Sequence, residues 1–184
     1  MALKSTVYKA QLQISDMDRS VYGEHSLTLA RHPSENDERL LMRVLAFGLT
    51  VPADDLNGRL EFTAGLSDTD VPDLWRKDLT GEIQQWVEVG LPDERRLAKA
   101  CSRASEVQLF AFGSSVPIWW QGLVNKVSRL DRLSVWQVPL EASKAMAELA
   151  ERSMQLQLTV QDGQVWLSEG ERTVEFELVR LKGG

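Results

Sequence analysis

Apolar and polar residues alternate imperfectly from Thr6 to Ser15, where Val7, Ala10, Leu12 and Ile14 are apolar, and β-favouring residues resume from Val21 to Arg31. The polar run Asp16-Met17-Asp18-Arg19 separates these stretches, so the pattern predicts an antiparallel hairpin. At His32-Pro33-Ser34-Glu35-Asn36-Asp37 the period changes. Ser34 is the expected N-cap of a first helix, with Asp37 three residues on and an acidic first turn. Leu41, Val44, Leu45 and Gly48 form its expected buried stripe, Glu35, Arg39 and Arg43 a charged ladder outside, and Glu38 falls on the inward side of the first turn.

A loop from Val51 to Gly58 leads to three expected strands, Arg59 to Gly65, Asp73 to Leu79 and Gln84 to Gly90, turned at Ser67 to Asp70 and at Thr80-Gly81. A second helix runs from Asp93 to about Ser105, with Leu97, Ala100, Cys101 and Ala104 on one small face and Arg95, Arg96, Lys99 and Arg103 opposite. The apolar stretch Glu106 to Phe112 then reads as a strand parallel to Gln84 to Gly90 across that helix. Further on, the pattern predicts a helix from Val116 to Leu130 containing Trp119-Trp120, a strand from Leu133 to Val138 and a helix from Glu141 to Arg152. Strands at Met154 to Val160, Val165 to Leu167 and Thr173 to Leu181 follow, the first two joined at Asp162-Gly163. No internal repeat and no linker rich in glycine, proline or serine interrupts this order. It reads as one α/β (α+β) domain over 1–184, a mixed β-sheet flanked by helices.

Composition narrows the chemistry. With 43% hydrophobic and 26% charged residues the chain is ordinary for a soluble protein. It has no apolar run of membrane length and no apolar leader, so the expected setting is the cytoplasm, with no membrane partner. The single cysteine, Cys101, and two histidines, His25 and His32, leave oxygen as the donor for any metal, which suits magnesium or manganese. A net charge of −6 argues against a protein that coats nucleic acid non-specifically, while allowing a local basic patch.

The local anomaly is Glu88, an acid inside Val87-Glu88-Val89. A carboxylate in a buried strand costs roughly several kcal/mol unless a cation or hydrogen bonds stabilise it. Asp73, at the head of the preceding strand, is the second candidate.

His32-Pro33-Ser34-Glu35 with Glu38-Arg39, Trp86-Val87-Glu88-Val89-Gly90-Leu91-Pro92-Asp93-Glu94-Arg95-Arg96, Leu133-Ser134-Val135-Trp136 and Asp162-Gly163-Gln164-Val165-Trp166-Leu167-Ser168 resemble segments of the YaeQ family of small bacterial proteins. The match covers essentially the whole chain. That family resembles a variant of the PD-(D/E)xK, or restriction-endonuclease-like, fold, which here implies an N-terminal hairpin and C-terminal strands added to a nuclease-like core. The resemblance implies magnesium- or manganese-dependent hydrolysis of nucleic-acid phosphodiesters. Asp73 and Glu88 would be the metal ligands, Glu38 an auxiliary acid on the first helix, and Lys99 the lysine supplied from the second helix, because the usual lysine position is Gly90. The alternative is a non-catalytic nuclease-like scaffold that binds a protein or nucleic-acid partner through the same cleft.

Overall fold

The computed structural model describes residues 5–183. In chain order its elements are β1 (Thr6–Asp16), β2 (Val21–Arg31), α1 (Asp37–Thr50), β3 (Leu60–Phe62), β4 (Leu74–Lys77), β5 (Ile83–Val89), α2 (Glu94–Arg103) and β6 (Ala104–Ala111). There follow α3 (Val116–Leu123), β7 (Leu133–Gln137), α4 (Leu140–Ala147), β8 (Ser153–Gln161), β9 (Gln164–Glu169), β10 (Arg172–Glu177) and β11 (Val179–Lys182). Among the described residues no helix is long and apolar enough to cross a membrane.

The strands form two sheets where the pattern predicts one mixed sheet. The first has the order β10-β9-β8-β1-β2, and the second β11-β7-β6-β5-β4-β3. The hairpin is as expected, with Thr6 opposite Arg31 and Asp16 opposite Val21. What joins the two ends of the chain is β8, which runs parallel to β1 with Leu12 opposite Leu156. The expected last strand is broken: β10 closes the first sheet against β9, and after Leu178 the chain passes to the second sheet, where Val179 faces Gln137. In the second sheet β5, β6 and β7 are parallel, as expected for β5 and β6 across a helical crossover.

Helix α1 lies between the sheets. Every residue from Leu40 to Thr50 is buried, including Arg43. Its Gly48 comes so close to the first sheet that an added Cβ would lie 2.4 Å from Leu158 Cδ2 and 3.3 Å from Leu12 Cδ2. On its other side Leu74, Val87, Val89 and Phe110 of the second sheet complete one core. The opposite face of that sheet packs Trp86, Val107, Leu109 and Leu133 against Leu97 and Ala100 of α2. Strand β5 therefore alternates between two cores, with Val87 and Val89 toward α1, and Trp86 toward α2.

Local boundaries move for identifiable reasons. The N-cap of α1 is Asn36, whose side chain accepts from Arg39 N at 2.9 Å; Ser34 is bonded instead to the His32 ring, in the turn before the helix. Helix α3 stops at Leu123, after which Lys126 N reaches Leu123 O and Leu130 N reaches Val127 O in tight three-residue turns. Beyond α4 the same tightening links Glu148, Leu149 and Ala150 to carbonyls three residues back, so neither helix attains its expected length.

Candidate functional site

The two candidate acids meet at one end of the second sheet. Asp73 immediately precedes β4 and Glu88 sits one residue from the end of the antiparallel β5, so the chain directions place them together. The amino ends of α1 and α2 reach this end from opposite faces. Asp93 caps α2 by accepting from Arg96 N at 2.9 Å, which directs the first turn of α2 toward Glu88.

Both acids are almost wholly buried, Asp73 at 5% and Glu88 at 2% exposure. Each is held by an arginine from a different helix. Asp73 Oδ1 accepts from Arg39 Nη2 at 2.8 Å, and its Oδ2 accepts from the Val89 backbone N–H at 2.9 Å, tying the head of β4 to the end of β5. Glu88 Oε1 accepts from Arg96 Nε at 2.7 Å and from the Trp86 indole N–H at 3.0 Å. The Trp86 bond is possible because residues two apart on a strand share a face.

Behind Arg39 the pairing continues. Arg39 Nη1 donates to Glu35 Oε2 at 2.8 Å, and Arg43 donates through Nε and Nη2 to both Glu35 oxygens, at 2.9 and 2.6 Å. The ladder expected on the outside of α1 is thus a buried ion network. With the second sheet on one side of α1 and the first on the other, no solvent face is left for it. Three carboxylates, Glu35, Asp73 and Glu88, balance three guanidinium groups, Arg39, Arg43 and Arg96.

The charge states follow from burial and pairing. Desolvation pushes the Glu88 carboxyl above its ordinary pKa, against the opposing pull of Arg96 and Trp86. Desolvation also works against the Arg39 charge, but Asp73 and Glu35 outweigh it and raise the Arg39 pKa.

A cavity of about 310 Å³ opens onto this arrangement, lined by Asp73, Glu88, Arg39, Arg96 and Gly90, with Asp68 at its loop side. Gly90 has φ +111°, and an added Cβ would meet nothing within 4 Å. Backbone conformation, not crowding, therefore favours glycine where the nuclease-like pattern has lysine.

The other two candidates stand outside this cavity. Lys99 turns to the preceding loop, where Nζ donates to Asp70 Oδ1 at 2.8 Å, with both side chains more than half exposed. Glu38 accepts from Ser143 Oγ at 2.9 Å and so faces α4. The residues that do complete the pair, Arg39 and Arg96, carry a faint sequence signal: Glu35, Arg39 and Arg43 repeat every four residues, and Arg96 lies three beyond the cap Asp93.

Oxygen donors of this kind suit a hard divalent cation in chemical type. Among the described residues no group of three His, Cys, Asp or Glu side chains is arranged to hold a metal. The protein would therefore supply two carboxylates at most, and water and phosphate the remaining ligands, an arrangement magnesium commonly adopts.

Comparison with known proteins gives one consistent answer. The family model for YaeQ protein matches residues 1–178. The YaeQ protein of Salmonella typhi is 47% identical over 180 residues, spanning 97% of this chain and 96% of its own, and that of Escherichia coli strain K12 is 46% identical with the same coverage. The crystal structure of YaeQ protein from Xanthomonas axonopodis pv. citri superposes with a TM-score of 0.91 at 42% identity, covering 98% of this chain and 99% of that one. The crystal structure of the Pseudomonas syringae YaeQ protein gives 0.90 at 33% identity, covering 98% and 97%. On the match along nearly the full sequence and on the shared fold, the chain belongs to the YaeQ family.

Proposed function

We propose that this protein is a nuclease-like phosphodiesterase of the PD-(D/E)xK type, in which Asp73 and Glu88 hold magnesium or manganese at a nucleic-acid phosphate. The observation that carries this reading is the convergence of two buried carboxylates from adjacent strands on one open cavity, with an arginine from each flanking helix beside them. A cation held there would activate water and offset the negative charge that develops on the phosphoryl oxygens.

The chain's own residues do the rest. Arg39 and Arg96 neutralise the acids when the cavity is empty of ligand and offer bidentate donors to a phosphate when it is filled. Trp86 orients Glu88 through its indole N–H, and the Val89 N–H fixes Asp73. Because the carboxylates are already balanced by guanidinium groups, Asp73 and Glu88 would take a cation together with a phosphate on Arg39 and Arg96, so that each set of side chains regains the counter-charge it gives up.

That same balance favours a second reading, a non-catalytic scaffold in which the arginine-acid pairs are permanent and the cleft serves a protein or nucleic-acid partner. Incubation of single- and double-stranded DNA and RNA with magnesium or manganese separates the two. Cleavage by the wild type that is lost in both Glu88→Gln and Asp73→Asn supports the phosphodiesterase. Equal cleavage by wild type and variants, or none by a folded wild type on any substrate, supports the scaffold.

A further inference from the structure

Three of the basic residues that the sequence sets on the outer face of α2 reach across to a neighbouring loop. Arg96, Lys99 and Arg103 lie at positions i, i+3 and i+7, on one side of the helix, and all three grip a single stretch, Thr69 to Val71, in the connection between β3 and β4. Arg96 donates from Nη1 to Thr69 O at 2.6 Å and from Nη2 to Val71 O at 2.9 Å. Lys99 Nζ donates to Asp70 Oδ1 at 2.8 Å, and Arg103 Nη1 donates to Asp70 O at 2.8 Å. Asp70 is ionised more readily than an ordinary aspartate, chiefly because Lys99 donates to it.

We infer that this ridge is a docking surface for the sugar-phosphate backbone of a single nucleic-acid strand, and that the loop carrying Asp68 and Asp70 occupies it as a displaceable internal substitute. The inference rests on the nucleic-acid reading above and extends it to a surface outside the metal-binding acids. Three features carry it. First, the loop offers to the ridge, which runs about 10 Å along α2 at 1.5 Å rise per residue, what a strand of phosphates offers: a row of anionic and carbonyl oxygens, here three carbonyls and a carboxylate. Second, the contact is exposed, with Lys99 at 54% and Asp70 at 70% side-chain exposure, and exposed ion pairs hold weakly enough for a polyanion to replace them. Third, the ridge runs into the site, because the guanidinium of Arg96 that holds the loop also holds Glu88, and Asp68, Thr69 and Val71 line the same cavity. A strand that displaces the loop therefore lies beside Glu88. The arrangement also gives Lys99 a role as an anchor for the phosphate backbone at a distance from the acids.

The test is fluorescence anisotropy with a short fluorescein-labelled oligothymidylate in EDTA, over a range of salt concentrations, with circular dichroism to show that each variant is folded. Asp70→Asn removes the loop carboxylate that pairs with Lys99 and should tighten binding about two- to fivefold, the scale of an exposed ion pair. The double variant Lys99→Ala, Arg103→Ala should weaken binding and lower the slope of log affinity against log salt by about 1.4, at about 0.7 for each phosphate contact. Binding that is unchanged or weaker in Asp70→Asn, or a double variant with wild-type affinity and slope, overturns the ridge while leaving the nucleic-acid reading in place. No binding by wild type or Asp70→Asn at the lowest salt overturns both.

Discussion

Removal of Arg96 should expose an asymmetry built into its pair with Glu88. Glu88 is 2% exposed and keeps only the Trp86 indole as a donor once Arg96 is gone. Arg96, a third exposed at its side chain, keeps water and two loop carbonyls if Glu88 is neutralised. Stranding a buried charge costs about 3–5 kcal/mol, and the exposure of Arg96 sets the lower end, about 3 kcal/mol, for Arg96→Ala at pH 8. For a chain of this length that corresponds to a loss of about 6–12 °C in Tm. Glu88→Gln, which strands nothing, should cost less than about 1 kcal/mol.

The pH dependence has a definite sign. Burial already raises the folded Glu88 pKa above its ordinary value, and loss of Arg96 raises it further. A carboxyl whose folded pKa lies above its unfolded value destabilises the protein when ionised, and that penalty disappears as pH falls through the folded pKa. Arg96→Ala should therefore recover toward wild type between pH 8 and pH 5, leaving about 1 kcal/mol for the lost, solvent-accessible bonds to Thr69 and Val71. Thermal melts and urea titrations of both variants at the two pH values measure this. A deficit in Arg96→Ala that is the same at both, or a Glu88→Gln deficit as large at pH 8, would refute the assignment of Arg96 as the counter-charge to a buried Glu88.

Three further outcomes follow from the same geometry. Glu35→Ala leaves Arg43, 4% exposed, with the Ala30 carbonyl alone, and should destabilise by about 3–5 kcal/mol in urea unfolding, whereas a surface ladder would give less than about 1 kcal/mol. Gly48→Ala drives a Cβ against Leu158 and Leu12 and should cost about 1–3 kcal/mol by the same method, despite alanine's higher helix propensity. Gly90→Lys, which restores the lysine of the nuclease-like pattern, should lower Tm and yield no faster cleavage, because φ +111° strains any side-chain-bearing residue there.

The sequence made the local chemistry more legible than the long-range pairing. Glu88 stood out as an acid where a strand should be apolar, Asp73 was pointed to by the family resemblance, and the structure brings both to one cavity. Their partners were obscured by treating α1 as a one-faced helix. From Leu40 to Thr50 its only charged residue is Arg43, a composition that belongs to a helix covered on all sides, and between two sheets Arg43 must find its counter-charge inside. Lys99 was correctly placed on the outer face of α2, but alternation cannot show that an acidic loop lies across it. The parallel pairing of β1 with β8 joins opposite ends of the chain, and neither strand's own pattern specifies a neighbour. Thr173 to Leu181 looked like one strand because its alternation continues through Leu178, where the backbone changes sheets.

The most direct test is a calorimetric titration of manganese into wild-type protein holding a cleavage-resistant phosphorothioate oligonucleotide, beside Glu88→Gln and Asp73→Asn. Saturable binding by the wild type that is absent in both variants is the result expected if Asp73 and Glu88 hold the cation at a phosphate. A wild type with no saturable binding in the presence of the oligonucleotide, or variants that bind as the wild type does, would contradict it.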